Sequence, residues 1–275
     1  MAPENYVPLL IKELRQKAHL FPDRPLTSVY FGGGTPSLLS SDFILAILEE
    51  IGKTKFGISS ETEVTLEINP ATLEIPKIRR LLAGGVHRFS VGAQTFNDGL
   101  LKAAGRKHSS EDTLRTLDLL RAENVNYSFD LLFALPNQTL TDLDQDLRKI
   151  QELRPPHLSA YCLTVPTGHP MSYNRPSDDH QVEMFKNISS ALAEVGLERY
   201  EISNFSLPGR ESRHNLLYWR DGEYLGLGLS AHSYIKTRHP WGCRFWNPSS
   251  IQEYQKLMES AHDGTVSEIV EKNLG

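Results

Sequence analysis

The chain has 275 residues, of which 39% are hydrophobic and 23% charged, a composition typical of globular proteins. Its 29 lysine and arginine residues face 34 aspartate and glutamate residues, so the net charge is −5. This balance disfavours nucleic acid and anionic membrane surfaces as partners. No apolar run approaches the length of a membrane span, and the N-terminal residues do not resemble a signal peptide. These features predict a cytoplasmic protein.

Helix-like and strand-like segments alternate along most of the chain. Apolar residues recur at helical spacing in six segments, and short β-branched or aromatic runs lie between them. In chain order we predict a helix at 7–18, a strand at 28–31, a helix at 44–51, a strand at 63–68, a helix at 78–82, a strand at 88–93, a helix at 114–120, a strand at 127–133, a helix at 143–150, a strand at 158–163 and a helix at 182–195. The expected cap residues are Ser40 or Ser41, Ser109 or Ser110, and Thr141.

This alternation predicts a parallel sheet, because each strand must return to its neighbour through a helical crossover. The sheet could be closed into a barrel or open and doubly wound. Its strands alternate between apolar and polar residues. The polar positions include Thr65 and Glu67 in one strand and Ser90 and Gln94 in the next. A polar face favours a barrel that holds a ligand near the carboxyl ends of its strands. After residue 196 the pattern weakens into strand-like stretches at 199–205 and 224–234.

Three consecutive glycines, Gly32 to Gly34, directly follow a predicted strand and precede Thr35. A backbone without Cβ atoms can approach a ligand closely, although a tight strand-to-helix turn would also use glycine. The segment lacks the lysine of a phosphate-binding loop and the spacing of a dinucleotide fingerprint. We therefore favour a ligand-binding turn, without a ligand named by these residues alone.

Several polar residues fall at the carboxyl ends of the predicted strands. Glu67 is expected to bind a ligand or to form a buried ion pair with Arg106 or Arg88, and the residues alone leave both open. Gln94, Arg106 and Asp130 are expected to form a mixed polar cluster.

Ten histidines are present, and most have no distinctive surroundings in the sequence. His87, His157 and His180 are expected to be solvated or turn residues. By contrast, residues 214–219 combine an imidazole, an amide and two aromatic rings. The segment could bind a flat aromatic ligand, yet a packed aromatic corner with a hydrogen-bonded His214 is favoured when these residues are considered alone.

Eight short motifs occur in an order that resembles one known family. They are FGGGTPSLL at 31–39, LEINP at 66–70, GAQTF at 92–96, GRKH at 105–108, DLLFALP at 130–136, EISNF at 201–205, HNLLYW at 214–219 and YLGLG at 224–228. Together they resemble the radical S-adenosylmethionine (radical SAM) family of oxygen-independent coproporphyrinogen III oxidase. The last three resemble more narrowly its HemW-like heme chaperone branch. The resemblance covers nearly the whole chain.

The resemblance implies an α/β fold, namely a partial (β/α)6 TIM-like barrel of the radical SAM type that lacks the first strand and the cluster loop. The barrel core would occupy residues 1–196. A smaller α+β family-specific extension would follow at 197–275 and be cut short, since 269–274 resembles an unfinished helix. The implied cofactors are S-adenosylmethionine, heme and, in the parent family, a 4Fe–4S cluster.

The resemblance also assigns residues to these cofactors. Gly32, Gly33, Gly34 and the adjoining Thr35 would line the methionine end of S-adenosylmethionine, Glu67 its amino or ribose groups, and His232 would lie beside the adenine. Positions that hold a second S-adenosylmethionine in the oxidase branch correspond to Gln94, Arg106, Asp130 and Cys162.

For heme, the candidate ligands lie in and near the HNLLYW motif. His214 would be the axial ligand, and Tyr218 and Trp219 would pack on the porphyrin. The alternative axial ligands are His232 and Cys243, in which case His214 would fix the turn after Arg210.

The chain departs from the family at the cluster motif. Members carry three cysteines in a C-x-x-x-C-x-x-C loop, whereas this chain has Cys162 and Cys243 alone. Three thiolates are required, so this chain is expected to bind no cluster metal. We expect it to be a piece of a longer protein rather than a relative that has lost its cluster.

The predicted function is that of a heme chaperone-like protein that binds S-adenosylmethionine and heme and delivers heme to acceptor proteins. A peripheral membrane protein is a candidate acceptor, and a homodimer is a candidate assembly. The alternatives are an oxygen-independent coproporphyrinogen III oxidase of porphyrin biosynthesis, which catalyses oxidative decarboxylation, and a cluster-free binding barrel. Whether the chain is an enzyme is left open.

Overall fold

A computed structural model describes residues 3–236 and 242–260. The helices are α1 (Pro3–Lys17), α2 (Ser41–Gly52), α3 (Ile75–Ala83), α4 (Asp98–Ala103), α5 (Ser110–Ala122), α6 (Leu140–Leu153), α7 (Asp178–Glu194), α8 (Arg213–Trp219) and α9 (Ile251–Ser260). The strands are β1 (Ser28–Phe31), β2 (Glu63–Ile68), β3 (Arg88–Gln94), β4 (Asn126–Phe133), β5 (His157–Cys162), β6 (Glu198–Arg199), β7 (Asn204–Ser206), β8 (His232–Ile235) and β9 (Cys243–Trp246). None of the described helices is long and apolar enough to cross a membrane.

The larger sheet contains seven strands in the order β1-β2-β3-β4-β5-β7-β6. Strands β2 to β5 pair in parallel with their chain neighbours, and β7 pairs antiparallel with both β5 and β6. Strands β1 to β5 thus lie side by side in chain order, whereas a doubly wound sheet reverses its strand order at a switch point. The strand order confirms an α/β fold with a parallel sheet wound as in a (β/α) barrel.

The described residues form two compact units. The sheet unit comprises Tyr30–Leu38 and Val64–Ser212, and the terminal unit comprises the described residues within Met1–Val29, Leu39–Glu63 and Arg213–Gly275. Each unit is a set of residues that contact one another more than they contact the rest. The predicted boundary between a barrel core and an extension, at residues 196 and 197, is a different kind of division and stays a prediction.

The sheet unit has one apolar and one polar face, as its sequence pattern predicts. Phe89 and Val91 are fully buried on one face of β3, whereas Ser90 belongs to the opposite face. Ser90 pairs in register with Glu67 of β2 and with Ser128 of β4, so the polar residues of adjacent strands lie side by side. This face carries the candidate site.

The terminal unit contains the two-stranded antiparallel sheet of β8 and β9. Ile235 and Phe245 of this sheet pack with Leu20 and Phe21 in a buried apolar cluster. A second, polar centre surrounds Glu13 of α1, whose side chain is fully buried.

Several local predictions need correction. The cap of α6 is Thr139 rather than Thr141, because the Thr139 side chain and the Asp142 carboxylate form a reciprocal capping box. The stretch at 224–234 is not one strand, since Tyr224 makes a single bridge to Tyr234 and β8 begins at His232. Helices α4, α8 and α9 were not predicted. The helix predicted at 269–274 lies outside the described residues.

The expectation for His157 was also wrong. Its side chain is buried, and its Nε2 lies 2.7 Å from the hydroxyl of Tyr200. His157 begins β5 and pairs in register with Ser206 of β7, so it lies within the sheet rather than in a solvated turn. His180 is exposed on α7, in agreement with the prediction.

Candidate functional site

A polar pocket of about 220 Å³ lies in the sheet unit, at the carboxyl ends of β2, β3 and β4. Ligand sites of parallel α/β folds occur at this end of the strands. The residues predicted for cofactor binding that line it are Gly34, Thr35, Glu67, Gln94, Arg106 and Asp130. The sequence therefore identified most of the polar lining, and the fold brings these dispersed positions together.

The glycine turn after β1 shapes one side of the pocket. Gly33 and Gly34 have φ angles of 74° and 66°, in the left-handed region where a side chain is unfavourable. The amide of Gly33 donates a hydrogen bond of 3.1 Å to Oε2 of Glu67. At Gly32 a Cβ atom would lie 2.6 Å from Cε1 of Tyr30, so this position has no room for a side chain.

Glu67 extends from β2 towards this turn. Its Oε1 accepts a hydrogen bond of 2.8 Å from the hydroxyl of Tyr30. Within the described part of the chain, the Glu67 carboxylate is thus hydrogen-bonded to Tyr30 and Gly33. It does not form the expected ion pair with Arg106 or Arg88 there. Burial and the nearby Glu67 charge raise the pKa of Tyr30, which keeps its hydroxyl protonated and able to donate.

Arg106 and Asn69 also line the pocket. Nη2 of Arg106 donates to Oδ1 of Asn69 at 2.9 Å and to the carbonyl oxygen of Gly92 at 3.1 Å. Nδ2 of Asn69 in turn donates to Oγ1 of Thr35 at 2.9 Å. Asn69 was not among the predicted site residues, although its place directly after β2 is the signal that could have found it.

Asp130 lies on the polar face of β4. The hydroxyl of Ser90 is 3.3 Å from both of its carboxylate oxygens. Burial, together with the charge of Glu67, raises the pKa of Asp130 to about 7, although hydrogen bonds from Ser159 and Ser90 act against the shift. The carboxyl group therefore changes its charge near neutral pH.

Cys162 is not one of the pocket-lining residues. It is exposed at the end of β5, where its Sγ lies 3.4 Å from Oε1 of Gln181 and 3.8 Å from Nη2 of Arg175. Burial of the sulfur atom's immediate surroundings raises the pKa of the thiol, so Cys162 is protonated at neutral pH. Its predicted role at a second cofactor site stays a prediction.

His214 belongs to the terminal unit, near the start of α8. Its Nδ1 lies 2.9 Å from Oγ of Ser28, and its backbone amide donates to Oε1 of Glu63 at 3.0 Å. Burial lowers the pKa of His214 to about 4, so the imidazole is neutral at pH 7. The contact with Ser28 orients the ring, and a neutral imidazole is the form that ligates iron.

Two aromatic residues of the same helix project further into solvent. Tyr218 and Trp219 are 47% and 54% exposed. The ring of Tyr218 stands edge-on to His214 at a centroid distance of 5.1 Å and contacts Tyr224 at 4.6 Å. His214 and Tyr218 are thus close together, as a joint role in binding a flat ligand would require.

The remaining predicted residues of the terminal unit lie on its small sheet. His232 is exposed at the start of β8, and its ring is 5.7 Å from that of Trp246 on β9. Cys243 is buried, which makes it the less accessible of the two alternative heme ligands.

Comparison with known proteins adds the family. A profile of the radical SAM superfamily matches residues 2–150. The heme chaperone HemW of Haemophilus influenzae is 35% identical over 258 residues, covering 87% of this chain and 67% of that protein. HemW of Escherichia coli is 33% identical over 254 residues, with the same coverage of both chains. The chain thus spans about two thirds of the length of these curated relatives.

Among solved structures, the chain resembles the radical SAM enzyme coproporphyrinogen III oxidase (HemN) of Escherichia coli. The TM-score is 0.78 at 23% identity, covering 94% of this chain and 63% of that one. At this identity the likeness shows the fold alone. The superfamily profile and the HemW relatives show more: the chain belongs to the radical SAM superfamily and, within it, to the heme chaperone HemW family.

Proposed function

We propose that the pocket of the sheet unit binds S-adenosylmethionine and that residues 214–219 bind heme, within a cytoplasmic protein that delivers heme to acceptor proteins. The observation that carries this proposal is the donor set of the pocket. It combines two carboxyl groups, a guanidinium group and side-chain amides beside a glycine turn.

This donor set suits S-adenosylmethionine chemically. The ligand has a cationic sulfonium and ammonium group, a carboxylate and ribose hydroxyls. Glu67 and Asp130 would face the cationic groups, Arg106 would pair with the carboxylate, and the amide of Gln94 would bind polar groups of the nucleoside. When bound in this family, S-adenosylmethionine supplies the adenosyl group from which radical chemistry starts.

The iron–sulfur cluster does not fit the residues present. The chain contains two cysteines, and a cluster of this type requires three thiolates from the protein. We therefore derive no radical step for this chain, and its own residues are assigned to binding.

Heme suits the aromatic segment of the terminal unit. His214 is neutral and oriented by Ser28, and the exposed rings of Tyr218 and Trp219 would cover part of the apolar porphyrin face. In the alternative, the contacts with Ser28 and Glu63 only hold α8 in place. His214 would then make no contribution to heme affinity.

The test for the pocket is calorimetric titration of S-adenosylmethionine into the chain and its Glu67→Gln variant. Loss of a charge-assisted hydrogen bond should weaken binding roughly tenfold or more. Glu61→Gln, at an exposed position of the terminal unit, is the control and should bind as the wild type does. Equal affinity of the folded Glu67→Gln variant and the wild type would show that Glu67 is structural.

The test for heme is a hemin titration followed at the Soret band. His214→Ala should lose the band position and affinity of the wild type, while His180→Ala, at an exposed position of α7, should retain both. Circular dichroism establishes that each variant is folded. An unaltered Soret band in folded His214→Ala would remove His214 from the candidate ligands.

A further inference from the structure

A buried arginine lies at the amino end of β3, two residues before Ser90 of the pocket lining. Arg88 begins β3, and its side chain is 3% exposed. In register it pairs with Thr65 of β2 and Asn126 of β4, and His157 begins β5 on the same polar face. We call Thr65, Arg88, Asn126 and His157 the floor cluster.

Arg88 has little to balance its charge. Its hydrogen bond within the described residues is made by Nη1 to the carbonyl oxygen of Arg210 at 3.3 Å. None of the ion pairs found among residues 3–236 and 242–260 includes it. Asp130 lies close enough to interact electrostatically, but its pKa of about 7 leaves it only partly ionised at neutral pH. A buried cation whose nearby carboxyl group is only partly ionised is costly, so a further compensating group is expected.

The other members of the floor cluster have buried polar atoms without hydrogen-bond partners. These atoms are Oγ1 of Thr65, Oδ1 of Asn126 and Nδ1 of His157. Thr65 and His157 are each 1% exposed, so bulk water does not reach them. Native proteins rarely leave such atoms unsatisfied, and each one points to an unseen partner.

The protonation of His157 indicates what that partner is. Burial, together with the nearby charge of Arg88, holds the pKa of His157 well below its ordinary value, so the ring is neutral. Its Nε2 lies 2.7 Å from the hydroxyl of Tyr200, which also accepts the amide hydrogen of Ser212 at 3.2 Å. If Tyr200 donates to Nε2, the single ring proton resides on Nδ1, and Nδ1 becomes an unpaired donor.

We propose that the floor cluster binds one small monovalent inorganic anion of halide size. The guanidinium of Arg88 supplies the opposite charge, and Nδ1–H of His157 and the hydroxyl of Thr65 supply further donors. The side chain of Asn126 can turn its NH₂ group to the same space, because the two ends of an amide have nearly the same shape. The floor cluster shares no residue with those assigned to S-adenosylmethionine and heme, and the expected effect of the anion is on stability.

The first test compares thermal unfolding in sodium chloride and in sodium gluconate at equal ionic strength, since gluconate is too large for a buried halide site. If chloride binds the folded state and not the unfolded state, the melting temperature should rise by roughly 3–5 °C for each tenfold increase in chloride concentration above the dissociation constant. Arg88→Met should abolish the difference between the two salts. Arg79→Met, which removes an exposed surface ion pair with Glu123, should retain it.

The second test does not depend on a variant that folds. Crystals of the wild-type chain soaked in sodium bromide should show an anomalous peak in contact with the guanidinium of Arg88. Crystals without such a peak would overturn the proposal and assign the unpaired atoms to buried water. A chloride effect that is undiminished in folded Arg88→Met would also overturn it.

Discussion

The hydroxyl of Tyr30 donates a hydrogen bond of 2.8 Å to Oε1 of Glu67, across the adjacent strands β1 and β2. This pair encloses Gly32, where a Cβ atom would lie 2.6 Å from Cε1 of Tyr30 and 2.9 Å from Oε1 of Glu67. The first glycine of the turn therefore makes room for the pair, and the pair holds the Glu67 carboxylate at the pocket. The position of the Glu67 carboxylate thus depends on the lack of a side chain at Gly32.

Substitution of Gly32 by alanine should disturb this arrangement. The new methyl group would displace Tyr30 or Glu67, so we expect a loss of about 1–3 kcal/mol in the free energy of unfolding. Chemical denaturation measures this loss. Gly33→Ala separates the steric effect from backbone strain, because no atom lies near its Cβ and its φ of 74° would cost only about 1 kcal/mol. Equal stability of Gly32→Ala and the wild type would contradict the packing described here.

Asp130 should make the chain less stable as the pH rises. Its pKa is raised from 3.8 to about 7 in the folded state, so the stabilisation from its bound proton is complete below pH 4 and is lost as the pH rises through 7. Asp130→Asn removes this loss. At pH 8 the variant should exceed the wild type by roughly 2 kcal/mol in the free energy of unfolding, less than the full linkage value because the carboxyl group lines a pocket.

Urea denaturation between pH 4 and pH 8 measures this difference. Asp146, whose pKa burial raises to about 6, contributes a similar trend to both proteins and cancels in the comparison. A constant stability difference between Asp130→Asn and the wild type over this range would show that the carboxyl group titrates normally.

Asp146 of α6 should fix the turn that follows Gln94. Its Oδ2 accepts a hydrogen bond from the hydroxyl of Thr95, and its Oδ1 accepts one from the amide of Phe96, each at 2.7 Å. Asp146→Ala leaves both buried donors unpaired, so we expect a loss of about 2–4 kcal/mol in the free energy of unfolding. Asp144→Ala in the same helix is the control, with an expected change of less than about 0.5 kcal/mol. Thermal and chemical unfolding of both variants check this, and a loss no larger than that of the control would argue against the anchoring role.

Substitution of Glu13, in the terminal unit, should strongly reduce the free energy of unfolding. Its carboxylate accepts hydrogen bonds from Lys17, Asn247, the amide of Gly228 and the hydroxyl of Tyr254, at distances of 2.6 to 2.8 Å. Truncation of one partner in a buried charged network typically costs about 3–5 kcal/mol, which we expect for Glu13→Ala.

The exposed pair of Glu49 and Lys53 provides the comparison for Glu13. Glu49→Ala should change the free energy of unfolding by less than about 1 kcal/mol. Similar effects of the two substitutions would mean that the Glu13 network contributes little to stability.

Local sequence patterns predicted the elements whose periodicity is strong. Strand β2 was predicted with its observed bounds, because its alternation of apolar and polar residues persists over the whole strand. Helix α8 was missed because seven residues rich in aromatic side chains carry no helical period. Its existence depends on contacts such as that between His214 and Ser28, which are distant in sequence.

The same distinction applies to the site. Glu67, Gln94 and Asp130 could be predicted because each lies on the polar face of a predicted strand. Asp146 and His157 could not, since their roles depend on partners about 40 to 50 residues away in the chain. A histidine that follows two prolines resembles a turn residue until the sheet buries it.

Backbone amide NMR of the labelled chain shows whether S-adenosylmethionine binds in the pocket of the sheet unit. Addition of S-adenosylmethionine should cause saturable shifts centred on Gly34, Gln94 and Asp130. S-adenosylhomocysteine should cause weaker shifts, because it lacks the sulfonium charge that Glu67 and Asp130 would face. Shifts that do not saturate, or saturable shifts at residues away from this pocket, would show that the ligand does not bind there.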